Sequence, residues 1–157
     1  MFFVHARILL GFYALCVTSV TSYSTHPGIE PDVCCNYVRA EDIQAIEWIR
    51  TQTASDAVVV ISSFQARNYR IGTDAGMWVE VLSGRSIRKR SYALDWDSDA
   101  ALRTSCEEAA GEVYVYAGSM PYSFQWIGLE RNDDFQLVFA RGGARVYHIE
   151  GCQGMRP

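Results

Sequence analysis

Histidine is scarce in this chain: three in 157 residues, at His5, His26 and His148. No C-x-x-C pair accompanies them, so the ligand spacing of a zinc site is missing. The sequence also lacks a G-x-G-x-x-G fingerprint, a Walker-type phosphate loop and a G-x-S-x-G nucleophile elbow. These absences remove the usual marks of dinucleotide, nucleotide and serine-hydrolase chemistry. There is no excess of positive charge either, with 14 Lys and Arg against 18 Asp and Glu and a net charge of −4. A nucleic-acid-binding surface is therefore not expected. What is present, 49% hydrophobic and 20% charged residues, is the composition of a globular domain. The length suits one core rather than two.

The longest apolar run lies near the N-terminus. His5 and Arg7 precede Ile8-Leu9-Leu10-Gly11-Phe12-Tyr13-Ala14-Leu15-Cys16-Val17, and small polar residues follow from Thr18 to Ser22. A positive flank, an apolar core and a small-residue exit describe a secretory signal peptide, with Val20-Thr21-Ser22 as the cleavage region. Counted from Phe2 to Val20, the same residues reach the roughly 20 that a membrane helix needs. Either way the chain after Thr21 is expected outside the cytoplasm. Residues 1–22 thus read as anchor or signal peptide, 23–37 as a linker carrying Pro27, Gly28 and Pro31, and 38–152 as an extracytoplasmic domain. Outside the apolar run stand Cys34, Cys35, Cys106 and Cys152. Four cysteines allow two disulfides in three connectivities, among which Cys106 with Cys152 is a candidate pair.

Within the domain, Ile43, Ile46 and Ile49 recur at helical spacing between Glu41 and Arg50, with acids in the first turn and a base in the last. Ala57 to Ile61 is continuous and mostly β-branched, the pattern of a strand buried on both faces. A second helical pattern runs from Asp74 to Ser83 and meets Gly84 where a helix C-terminus favours a left-handed residue. Ser86 to Arg88 is a brief strand candidate. Asp97-Ser98-Asp99 caps a helix expected to reach about Ala110, and Glu112 to Ala117 is another strand. Finally Phe135–Ala140 and Ala144–Ile149 flank Arg141-Gly142-Gly143, a hairpin signal. The order predicts a three-layer, Rossmann-like α/β fold: a mostly parallel sheet, an antiparallel C-terminal hairpin, and an apolar N-terminal helix ahead of it. Ala57–Ser62 and Glu112–Ala117 should be near or neighbouring parallel strands.

Four features in order, the helix Glu41–Arg50, the strand Ala57–Ser62, Asp74-Ala75-Gly76-Met77-Trp78 and Leu82-Ser83-Gly84-Arg85, resemble one known arrangement. It is the extracytoplasmic C-terminal domain of GT-C type polytopic membrane glycosyltransferases, which use lipid-linked sugar donors. The likeness spans roughly residues 38 to 149. It implies an accessory domain at a membrane, with a polytopic glycosyltransferase or a lipid-linked sugar as partner. In that family the catalytic carboxylate lies between early membrane helices, a region with no counterpart in this sequence. The expectation is a non-catalytic domain, inactive alone and without cofactor or metal. The alternative is a free-standing exported binding or structural module.

Open parallel sheets bind ligands beyond the carboxyl ends of their strands. Asp74, Trp78, Arg85, Trp96, Tyr122 and Trp126 could converge there, offering a carboxylate, a guanidinium and aromatic faces to a sugar or sugar phosphate. Each has a plainer reading: Asp74 as a helix N-cap, Trp78 as core, Arg85 as the partner of Asp74. A Cys106 or Cys152 nucleophile with His148 is a weaker third idea. The basic cluster Arg85, Arg88, Lys89 and Arg90 reads as a solvated loop, with an anionic lipid or phosphate partner as the alternative.

Overall fold

The computed structural model of the protein describes residues 38–107, 109–150 and 152. The chain begins with α1 (Ala40–Gln52), whose Asp42 carboxylate accepts the Arg39 N–H at 2.8 Å and closes a capping box. Strand β1 (Val58–Ala66) turns at Arg67-Asn68 into β2 (Tyr69–Gly72). A 3-10 turn (Ala75–Trp78) leads into the short helix α2 (Val79–Ser83), stopped by Gly84 at φ 69°. Then follow β3 (Ser86–Ser91), α3 (Asp99–Cys106), β4 (Val113–Ala117), α4 (Trp126–Arg131), β5 (Phe135–Arg141) and β6 (Ala144–Ile149).

These strands make one six-stranded mixed sheet. Val58–Ile61 pairs in parallel with β3 and, in the same stretch, with Val113–Tyr116 of β4, so β1 lies between them. The two apolar runs are thus parallel neighbours, as their continuity implied. β6 runs antiparallel beside β4, and β5 antiparallel beside β6. The outer half of β1, Ser63–Ala66, pairs antiparallel with β2.

The sheet is therefore not mostly parallel. Parallel pairing is confined to β3–β1–β4, and three of the five pairings are antiparallel. Two causes act. The strand begun at Ala57 runs on past Ser62 and doubles back through a tight turn, and the C-terminal hairpin inserts its second strand, not its first, beside β4. The helix after Ser98 stops at Cys106, four residues short of the expected end, where Glu107 turns extended. The expected N-terminal apolar helix and the linker lie outside the described residues. Among the described residues no helix is long and apolar enough to cross a membrane.

Period-two alternation splits the core into two layers. Val59, Ile61, Tyr114, Tyr116 and Val146 face α1 and α2, which contribute Ala45, Ile46, Ile49 and Val79. On the other side Val60, Val113, Val115, Tyr147 and Ile149 meet Ala101, Leu102 and Leu129 from α3 and α4. Each such Val, Leu or Ile removed from water contributes about 1.5–3 kcal/mol, so the central strands fix the position of everything at their ends. A disulfide joins Cys106, at the end of α3, to Cys152 beyond β6.

Candidate functional site

After the β1–β2 hairpin the chain enters the α1–α2 layer, and after β4 it enters the α3–α4 layer. The connections from β1 and β4 consequently diverge, the situation in which open α/β sheets form a crevice. Buried polar groups collect there. Ser62 and Thr73 share a hydroxyl–hydroxyl bond of 2.6 Å. Asp74 is 1% exposed and caps the following turn, accepting the Gly76 N–H at 2.8 Å through Oδ1. The Gly118 N–H donates to Ser123 Oγ at 2.6 Å and to Asp74 Oδ2 at 3.3 Å. Gly118 is required by this approach: a Cβ there would sit 2.5 Å from Asp74 Oδ2.

A second carboxylate, Asp42 of α1, reaches the same region. Beyond the Arg39 N–H it accepts the Tyr116 hydroxyl at 2.7 Å, the Ser119 N–H at 2.9 Å and the Ser119 hydroxyl at 2.6 Å. Burial pushes the Asp74 carboxyl above the usual carboxylate range; bonds from Ser123, Gly76 and Ser62 oppose the shift, and the negative Asp42 adds to it. Burial likewise raises the Tyr116 phenol, reinforced by Asp74 and Asp42. Both carboxylates are engaged inward: Asp42 holds the loop after β4 to α1, and Asp74 holds it to the 3-10 turn.

Outside this cluster opens a cleft of about 250 Å³, lined by Ser119, Pro121, Ser123, Trp126, Gly143 and Arg145 among others. Arg145 projects from β6, opposite Ala117 at the end of β4. Its guanidinium lies 4.2 Å over the Trp126 ring, with Nε 3.5 Å from Glu130 and Nη1 donating to the Gly143 carbonyl at 3.4 Å. An indole face with a guanidinium beside it can take a planar or ring-shaped anionic group by stacking and ion pairing.

The six expected site residues do not converge. Asp74 and Trp126 stand at this end of the sheet, Asp74 buried behind Gly118 and Trp126 in the cleft wall. Tyr122, 65% exposed, sits on the rim between the lining residues Pro121 and Ser123. Trp96 is 1% exposed and packs edge-on against Phe124 and Phe135, at 4.9 and 5.3 Å, which makes it core. Trp78, expected in the core, is 44% exposed, because the turn that carries it buries Ala75 and Gly76 instead.

Arg85 precedes β3, at the amino end of the parallel strands, and is not the partner of Asp74. It donates to Thr53 Oγ1 at 3.0 Å and to the carbonyls of Thr53, Arg50 and Ser83 at 2.8, 2.9 and 3.0 Å. It clamps the C-terminal end of α1 to α2. Arg88 and Arg90 also turn to carbonyls, those of Ser105 and Glu107 and that of Thr104 at the end of α3. Most of the basic cluster is therefore structural.

His148 stacks on Tyr114 at 5.0 Å, and the disulfide leaves neither Cys106 nor Cys152 a thiol to act as nucleophile. Among the described residues no group of His, Cys, Asp and Glu has the makings of a metal site. Asp42, Ser119 and Arg145 carry no signature in the sequence, since an acid in a first helical turn and an arginine in a hairpin are commonplace. No family model, no curated protein and no solved structure matches this chain.

Proposed function

We propose that this domain is a non-catalytic extracytoplasmic recognition module, an accessory domain of the kind that GT-C type membrane glycosyltransferases carry, with its apolar N-terminal segment leading it out of the cytoplasm. One observation carries the reading. At the divergence of β1 and β4 both carboxylates are buried and saturated by internal donors, while the open cleft beside them presents a guanidinium on an indole. That arrangement suits holding a sugar or an anionic headgroup, and among the described lining residues the Ser119 and Ser123 hydroxyls are already engaged, Ser119 donating to Asp42 and Ser123 accepting the Gly118 N–H.

The parallel β3–β1–β4 core with helices on both faces supports a Rossmann-like ancestry for the fold. The Cys106–Cys152 disulfide supports export, since such bonds persist in oxidising compartments. A free-standing exported binding module is the second reading, favoured by a cleft walled by a single loop and one hairpin.

A photoreactive residue in place of Tyr122, used in intact cells, separates the two. Adducts with a polytopic glycosyltransferase in the membrane fraction are expected. A chain recovered as soluble exported protein, with no membrane-protein adduct, overturns the accessory role and leaves the free-standing module.

A further inference from the structure

The β1–β2 hairpin extends past the end of β4 pairing, and its register assigns each side chain to a face. Phe64 pairs with Ile71 and Ala66 with Tyr69, so these four lie on one face of the ribbon, while Gln65 and Arg70 lie on the other. Arg67 and Asn68 form the tip. The apolar face is uncovered: Tyr69 is 74% exposed and Phe64 and Ile71 about 40%, and none of the three belongs to either core layer.

Charge decides what covers it. From Phe64 to Tyr92 the chain carries six of its 14 Lys and Arg but only two of its 18 Asp and Glu, one of which is the buried Asp74. Arg67, Arg70 and Lys89 pair with no carboxylate among the described residues, and Lys89 Nζ lies 3.3 Å from the Arg70 carbonyl, bringing the β3 ammonium to the hairpin. The remainder of the chain is correspondingly acidic and is repelled by an anionic surface. Arg67 further holds φ at 52°, the left-handed region that favours glycine, so the tip keeps a cation where glycine would be unstrained.

We infer that this hairpin is a membrane-surface contact: Phe64, Tyr69 and Ile71 enter the interfacial region of an anionic bilayer while Arg67, Arg70 and Lys89 meet lipid headgroups. The ribbon meets the surface by its Arg67-Asn68 tip, so that the apolar face on one side and Arg70 and Lys89 on the other both reach the interface, the mixture of apolar and cationic groups that an anionic bilayer selects. The inference concerns a different surface from the cleft and does not depend on what the cleft binds.

The test uses the full chain with vesicles containing a diazirine-labelled acyl chain, either phosphatidylcholine alone or phosphatidylcholine with phosphatidylglycerol. After irradiation, lipid adducts are mapped by peptide mass spectrometry. Labelling of Phe64–Ile71 is expected with the anionic vesicles. It should fall about tenfold or more in Arg67→Gln/Arg70→Gln/Lys89→Gln, given roughly fivefold per cation near such a surface. Circular dichroism checks that this variant folds, and Tyr69→Ser/Ile71→Ser should lose the adducts by a route that leaves the cations in place. A hairpin that stays unlabelled while other parts of the chain are labelled overturns the inference. So does labelling that is equal on neutral and anionic vesicles, or that survives the triple substitution.

Discussion

At the level of single residues, the buried pair Asp42 and Asp74 dominates the chemistry of the domain. Asp74 holds its proton to a higher pH when folded than when unfolded, because burial penalises its charge. Between the ordinary carboxylate value and the raised one, the folded state binds more protons, so stability falls as pH rises through that window and is fully present below it. Urea unfolding should accordingly show stability gained as the pH is lowered toward the ordinary carboxylate value, and Asp74→Asn should flatten that gain. An unchanged slope in the variant would remove Asp74 as its source. Asp42 acts differently, as an acceptor for four donors on three segments. Replacing it with Ala strands the buried Tyr116 hydroxyl and the Ser119 N–H, at about 1–3 kcal/mol each. Asp42→Ala should therefore lower Tm far more than Tyr116→Phe, which removes one donor and leaves the carboxylate three others.

At the level of elements, the central strands and the C-terminal hairpin were legible because their signals are strong: continuous β-branched residues in Val58–Ile61 and Val113–Tyr116, and Gly142-Gly143 between apolar runs. The β1–β2 hairpin was not, because Arg67-Asn68 lacks the glycine that usually marks so tight a turn. Helix α4 leaves no mark in the sequence because six residues are too few to set a periodicity. The cleft depends on the pairing of β6 beside β4, a long-range choice that no local pattern encodes, so Arg145 could not be placed in advance. Of the two partners the sequence offers Asp74, backbone N–H groups or Arg85, the structure has the first: Gly76 and Gly118 donate to Asp74, while the open carbonyls at the end of α1 take the Arg85 guanidinium. Arg85→Ala leaves those carbonyls to water and should cost about 2–4 kcal/mol, read as a fall in urea midpoint. Arg85→Lys should recover little of it, since one ammonium cannot reproduce the fork. A midpoint unchanged by Arg85→Ala would show that the clamp contributes nothing and return Arg85 to the pool of recognition residues.

For the molecule as a whole, the Cys106–Cys152 bridge spans 46 residues that include β4, α4 and both C-terminal strands. Loop-closure entropy for that span is worth about 4 kcal/mol, less whatever the reduced chain already restricts. Thermal melts with and without a reductant should differ by several degrees, and Cys106→Ser/Cys152→Ser should melt like the reduced protein. Equal melts would mean that the bridge adds nothing. The strand order has a consequence of another kind. β5 bonds only to β6, and β6 bonds to β4, although β5 comes first in the chain. As the polypeptide is made in sequence, β4 therefore waits with one edge open, and β5 has nothing to pair with, until Ala144–Ile149 has followed. The half-emerged chain is a template for wrong pairings, and its escape from them rests on how fast the last strand arrives.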